Sequence, residues 1–280
     1  MAVEVVESVV EAVAPVVRPP VHLGLYGEPH AGKSRVAATF PTPIYVAFFD
    51  RRGKELTYVQ YWRTVYGILV EKPGVDKRGT PYTDYHAKNR YIGRIAYYTN
   101  ARVADTDGVG RLMDYFPVLD EEVLKGKWAT VIGDSVTFMA YDARKQSQYI
   151  DNPRTRSGSD KNTLAWYGQA TDMVEEVLCS LLPNLTCNTV AIMHESKVMV
   201  ESEGSLVRSP AVPGKRLAST NMIAATFPEL YRLYVERGED GKKRRLLQTD
   251  SDEKFQAGSV LGAPDPCKPN YKDFWANWVA

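Results

Sequence analysis

Residues 27–34 read Gly-Glu-Pro-His-Ala-Gly-Lys-Ser, a complete G-x-x-x-x-G-K-[ST] phosphate-binding loop. What flanks the loop constrains the fold. An apolar run, Val21-His22-Leu23-Gly24-Leu25-Tyr26, precedes it, and a helix-compatible stretch, Arg35-Val36-Ala37-Ala38, follows. A strand, a glycine loop and a helix in that order curl successive backbone N–H groups around phosphate oxygens and aim the helix's positive dipole end at them. The expected nucleotide-contacting set is Gly27, Glu28, Pro29, His30, Ala31, Gly32, Lys33, Ser34 and Arg35. In that geometry Lys33 reaches the β- and γ-phosphates, and the Ser34 hydroxyl helps hold Mg²⁺. The loop implies a nucleoside-triphosphate site.

A chain of 280 residues with 44% hydrophobic and 25% charged residues has enough apolar side chain for a sizeable core. Its formal net charge of +1 neither favours nor excludes nucleic acid, because a local basic face can sit inside a neutral total. Cys179, Cys187 and Cys267 are odd in number and lack C-x-x-C spacing, which fits a reducing compartment better than a disulfide framework or zinc site. Glu4, Glu7 and Glu11 interrupt the apolar N-terminal run, so no signal peptide is expected. No stretch approaches the roughly 18 apolar residues of a membrane span. The expectation is a cytoplasmic protein without a membrane partner.

Residues 1–20 read as an N-terminal arm. Val6, Val9, Val10, Val13, Val16 and Val17 share a helical face before Pro19 and Pro20 stop the segment; it packs on its own domain or docks on a neighbouring subunit. From Val21 onward apolar runs alternate with helical patterns, which predicts an α/β fold with a mostly parallel sheet flanked by helices over residues 21–250. Predicted strands are 44–49, 128–133 and 189–193, and predicted helices are 110–125 and 165–182. Residues 57–100 read as an irregular insertion with some β structure. The runs 230–237 and 244–249 flank Gly238-Glu239-Asp240-Gly241 and predict a β-hairpin near the C-terminal end, followed by a tail over 251–280.

A phosphate loop needs a second acid for its metal. Trp128-Ala129-Thr130-Val131-Ile132-Gly133-Asp134-Ser135 is an apolar strand ending in a carboxylate, which delivers Asp134 to the sheet edge that carries the loop. Ser34 and Asp134 are therefore the expected metal-holding pair. Hydrolysis also needs a group that orients water. Asp50, ending the strand 44–49, is one candidate, and Glu55 lies just beyond; Asp50 suits a cap on the following turn equally well. His194 and Glu195 follow the strand 189–193, where a side chain can sense a γ-phosphate. Lys33, Asp50, Asp134 and His194 make up the candidate catalytic set.

These residues carry a resemblance. Gly-Lys-Ser, the strand ending in Asp50, Thr-Val-Ile-Gly-Asp-Ser and Thr-Val-Ala-Ile-Met-His together resemble RecA-like P-loop ATPases, nearest to the small bacteriophage ATPases of homologous recombination and single-strand annealing. Pro213-Gly214-Lys215-Arg216-Leu217, Phe227-Pro228-Glu229-Leu230-Tyr231-Arg232-Leu233 and Leu246-Leu247-Gln248-Thr249 are similar to the same group. The resemblance implies a RecA-like P-loop NTPase core that binds ATP with Mg²⁺ at subunit interfaces. It also implies a homo-oligomer, ring or filament, on single-stranded DNA, working with phage or host replication or recombination proteins in a host cytoplasm. DNA-facing loops map to about 141–165, with Arg144, Lys145, Arg154, Arg156 and Lys161, and to about 195–216, with Lys197, Arg208, Lys215 and Arg216. Cationic flexible loops suit phosphate contact, and Tyr149 suits base stacking. The segment 82–94 is a third candidate.

The chain departs from that group in two places. RecA-like ATPases place a glutamate two residues after the acid that ends the second strand; here Arg52 stands there, which leaves the identity of the base open. The group also tends to offer an arginine soon after the final hairpin, whereas Gln256-Ala257-Gly258-Ser259-Val260 has none, so Lys215 or Arg216 is the candidate to reach a neighbour's γ-phosphate in trans. Two alternatives stay open. One is a non-hydrolysing protein whose assembly nucleotide locks; the other is a DNA motor or small-molecule kinase.

Overall fold

The computed structural model describes residues 19–50, 53–98, 107–151, 163–200, 205–211 and 225–275. The phosphate loop joins β1 (His22–Gly27) to α1 (Lys33–Ala37), and the chain continues into β2 (Ile44–Phe48), whose residues are all buried. Next come α2 (Leu56–Tyr66), β3 (Val70–Val75), β4 (Pro81–Ala87) and β5 (Arg90–Tyr97). The stretch expected to be irregular with some β structure is thus a helix and three paired strands. Tyr58, Val59 and Trp62 form the buried stripe of α2, a helical period that its many polar neighbours obscure in the sequence.

Helix α3 (Gly108–Leu124) buries Val109, Leu112, Phe116, Leu119 and Val123, a three-and-four spacing along one face. Strand β6 (Thr130–Asp134) leads into α4 (Val136–Gln146), extended by a π-helical turn over Ser147–Asp151. The predicted helix 165–182 exists as α5 (Thr163–Glu175), a second π-helical turn over Glu176–Leu181, and the short α6 (Leu182–Asn184). After these follow β7 (Asn188–Val200), β8 (Ser205–Ala211), the hairpin β9 (Glu229–Arg237) with β10 (Lys243–Gln248), the short β11 (Gly258–Ser259) and α7 (Tyr271–Trp275).

The strands form one sheet in the order β10-β9-β1-β7-β6-β2-β5-β4-β3, with β11 on β9 and β8 on β7. The run from β9 to β5 is parallel throughout, and antiparallel strands extend it at both ends. Alternation along each strand feeds two cores. Tyr45, Ala47, Val131, Ala191 and Met193 pack with α3, α4 and the α5 region on one face. Val46, Phe48, Ile132, Val190 and Ile192 pack with Val36, Phe40, Tyr58 and Trp62 on the other. The result is the predicted α/β architecture, a P-loop core with a mostly parallel sheet flanked by helices and a hairpin near its C-terminal end.

Register decides where the chemistry lies. Gly27 pairs with His194 on one side and Leu233 on the other, while Asp134 pairs with Ile192 and Phe48. The ends of β1, β6 and β2 therefore meet at one edge of the sheet, with β7 interposed between the strand of the phosphate loop and the strand of Asp134. Among the described residues, no helix is long and apolar enough to cross a membrane.

Candidate functional site

The phosphate loop depends on backbone conformations that side chains resist. Gly27 has φ 152° and Gly32 has φ 109°, and a Cβ on Gly27 would lie 2.2 Å from the Leu233 carbonyl oxygen of β9. The loop is also braced from outside, because Arg245 on β10 donates through Nε to the Ala31 carbonyl at 2.9 Å. Inside it, Lys33 Nζ donates to the Gly27 carbonyl at 2.8 Å and the Glu28 carbonyl at 2.7 Å. Burial holds its pKa down at about 8, against the pull of Asp134 and Glu195, which favour the ammonium.

Beneath the loop, Ser34 Oγ and Tyr58 OH each donate to Asp134 Oδ2 at 2.8 Å. Burial raises the Asp134 pKa, while these two hydrogen bonds hold it back. The donor set suits Mg²⁺, which takes one hydroxyl and one carboxylate readily and fills its other positions with water and phosphate oxygens. Among the described residues, no cluster of three or more His, Cys, Asp or Glu is arranged to hold a metal ion by itself. Ser34 and Asp134 thus fit a metal that a phosphate also ligates.

Above this pair opens a cleft of about 410 Å³ lined by Pro29, His30, Gly32, Lys33, Ser34, Asp50, Lys54, Thr57, Asp134, Phe138, Ile192 and His194. That volume suits a phosphate-bearing ligand. His194 sits edge-on to Phe138, ring centroids 5.5 Å apart, and its backbone N–H donates to Thr137 Oγ1 at 3.0 Å. Burial lowers its pKa, and the Lys33 and Lys54 charges add to the effect, so the ring is neutral at pH 7. Asp50 reaches the cleft with its carboxylate already engaged, 2.6 Å from Lys54 Nζ. Glu55 is not among the lining residues; it accepts the Gly53 backbone N–H.

Other residues singled out from the sequence lie elsewhere. Arg35 is exposed, its guanidinium 5.6 Å from the Tyr61 ring centroid. Glu28 lines a smaller neighbouring hollow and faces Arg208 at 3.5 Å. The expected flexible loop at 141–165 is largely helix among its described residues. Arg144 and Lys145 close α4, with the Arg144 guanidinium 4.8 Å from the ring centroid of Tyr141 and 5.9 Å from that of Tyr167. Similarly, Lys197 and Arg208 pair across β7 and β8 instead of lying in a loop, because the backbone groups of the two segments satisfy one another in a ladder. Arg208 Nη1 is bound to Glu195 at 2.6 Å, and Arg232 Nε holds the other Glu195 oxygen at 2.9 Å. Burial pushes Glu195 up, yet these two arginines hold its pKa below the usual carboxylate value. Arg52, Arg154, Arg156, Lys161, Lys215 and Arg216 lie outside the described residues, as does most of the N-terminal arm.

Lys54, Thr57, Tyr58 and Arg245 escaped the sequence reading. The first three lie at or just before the start of α2, and recognising its buried period would have placed that helix start against the end of β6; Arg245 carries no local signal.

Two solved structures are similar at low identity. One is described as a prototypical ATPase from the type III secretion system of pathogenic bacteria, 11% identical with a TM-score of 0.39, the match covering 77% of this chain and 52% of that one. The other is a KaiC-like protein from the hyperthermophilic archaeon Pyrococcus horikoshii OT3, 10% identical with a TM-score of 0.36, covering 90% of this chain and 88% of that one. The chain spans about half the length of the secretion-system ATPase. No curated protein matches the sequence. A family model described as an AAA domain matches residues 20–261, from just before the strand of the phosphate loop to beyond the C-terminal hairpin, and the chain belongs to the AAA domain family.

Proposed function

We propose that this chain is a Mg²⁺-dependent ATPase that assembles as a ring or filament on single-stranded DNA in phage-type recombination, annealing or replication. The observation that carries the ATP reading is the 2.8 Å hydrogen bond from Ser34 Oγ to Asp134, set directly behind the phosphate loop. Bound Mg²⁺ neutralises phosphate charge and polarises the phosphoryl group. Ser34 and Asp134 hold that ion, and Tyr58 fixes the carboxylate's orientation through its own hydrogen bond. Lys33, mostly protonated at pH 7 with a pKa of about 8, exchanges its loop carbonyls for phosphate oxygens. His194 presents a neutral ring to the cleft, able to donate one hydrogen bond without adding charge. Asp50 is the described carboxylate best sited to orient water, and Lys215 or Arg216 remains the candidate group acting on a neighbour's nucleotide.

The DNA reading rests on the resemblance and on the cations that close α4, Arg144 and Lys145, which lead into a segment carrying Arg154 and Arg156. Exposed Tyr149 beside them suits stacking on a base. The test is ATP turnover by the full chain with and without single-stranded DNA, combined with electron microscopy of the mixture. Turnover stimulated by DNA, with rings or filaments, supports the proposal. A phosphorylated small molecule would make the chain a kinase. Tight ATP binding without turnover would make it a nucleotide-locked assembly protein.

A further inference from the structure

The cleft has a second cationic wall that the phosphate loop does not explain. Lys54, just before α2, lines it together with Lys33. Its ammonium lies 2.6 Å from Asp50 Oδ2 and 5.2 Å from the centroid of the Phe138 ring. The two partners differ in freedom: the Lys54 side chain is 48% exposed, whereas that of Asp50 is 7% exposed. A flexible four-carbon stem thus carries a charge that can move, and a buried carboxylate marks one place where it rests.

Both ammonium groups act on the same space. Lys54 disfavours protonation of Lys33, and both lysines disfavour protonation of His194. Water reaches the lysine end of this pair and screens it, so a partner of higher charge competes with Asp50 for Lys54. A terminal phosphate is such a partner, with three acceptor oxygens and more than one negative charge.

We propose that Lys54 is a γ-phosphate-contacting residue supplied by the same chain, which exchanges Asp50 for the terminal phosphate and so distinguishes ATP from ADP. The inference rests on the ATP-binding reading above and assigns it a discriminating residue. It also gives Asp50 a second role, because the exchange withdraws Lys54 from the candidate water-orienting acid when a triphosphate is in place. Recognition of the γ-phosphate then begins within one subunit, before any neighbour contributes a cation.

The test compares equilibrium affinities for fluorescent ATP and ADP analogues, with Mg²⁺, in the full-length wild type and in Lys54→Ala, Lys54→Arg and Asp50→Asn. Lys54→Ala should weaken ATP binding at least about tenfold, the low end for one charge-assisted hydrogen bond, and leave ADP within about twofold. Lys54→Arg should restore most of the ATP affinity. Asp50→Asn, which removes the competing anion, should tighten ATP more than ADP. Equal losses for both nucleotides in Lys54→Ala, or no loss for either, would overturn the inference while leaving the ATPase reading intact. Failure of the wild type to bind either nucleotide would remove the ATPase reading itself. Lys54→Gln, which keeps the stem over Phe138, provides the same comparison if Lys54→Ala does not fold.

Discussion

Replacing Tyr58 with Phe removes one oxygen and almost no volume, so it isolates the hydrogen bond that Tyr58 gives to Asp134 at 2.8 Å. Both residues are buried. A hydrogen bond to a charged group contributes about 1.5–3 kcal/mol, and a buried carboxylate that loses one finds no water to replace it. The variant should therefore be about 1.5–3 kcal/mol less stable at pH 7.5 in urea denaturation. The pH dependence follows from burial, which raises the Asp134 pKa above its unfolded value. The native state then holds its proton longer than the unfolded state, so stability falls as pH rises through the interval between the two values. Loss of Tyr58 raises the native pKa further and widens that interval upward. Below both values Asp134 is neutral in both states, and the penalty should shrink to that of a neutral hydrogen bond, about 0.5–1.5 kcal/mol. The same change should move the midpoint of Mg²⁺-dependent nucleotide binding to higher Mg²⁺, increasingly so as pH falls, because the metal needs the ionised carboxylate. A variant as stable as the wild type at pH 7.5, with an unmoved Mg²⁺ midpoint, would refute the reasoning.

Further outcomes follow from the loop itself. Burial depresses the Lys33 pKa to about 8, so the native state loses its proton before the unfolded state does; stability should rise between about pH 8 and 10, while ATP affinity falls by up to about tenfold per pH unit over that window. Lys33→Arg, charged throughout, should flatten the affinity profile measured by calorimetry, and a flat wild-type profile would count against a depressed Lys33. Gly27→Ala combines an unfavourable φ of 152° with a Cβ 2.2 Å from the Leu233 carbonyl, and should cost at least about 2 kcal/mol and nucleotide binding, as read by thermal denaturation and titration. Survival of both properties would show that the loop yields more readily than its contact with β9 suggests.

The architecture was legible in the sequence wherever its signal was local. The phosphate loop declares its strand and helix through glycine and lysine spacing, and Asp134 closes an apolar run short enough to be only a buried strand. The β9–β10 hairpin advertised itself through Gly238 and Gly241. What escaped depended on distance. Tyr58 meets Asp134 across 76 positions and Arg245 meets Ala31 across 214, and no residue type or spacing near either end marks those pairings. The described parts of the segments read as cationic loops are helix and strand, for a different reason. Charge alone does not separate a loop from the side of a helix, as at Arg144, or from a paired strand, as at Lys197. The Lys54–Asp50 pair lay in plain view at four-residue spacing, yet only the fold reveals that it opens onto the nucleotide cleft.

Strand β7 spans 13 residues, an extended length of about 43 Å, and His194 stands near its middle. From Asn188 to the cleft it is clamped between β1 and β6; beyond His194 the same unbroken strand continues to Val200, where among the described residues it pairs with β8. The stretch beyond β1 and β6 is therefore an arm about 20 Å long, rooted at a residue that lines the cleft. Its root is stiffened by Glu195, which both Arg208 of β8 and Arg232 of β9 grip. A hinge would absorb a small displacement at the cleft, whereas a beam fixed in this way multiplies a tilt at its root into a larger sweep at its tip.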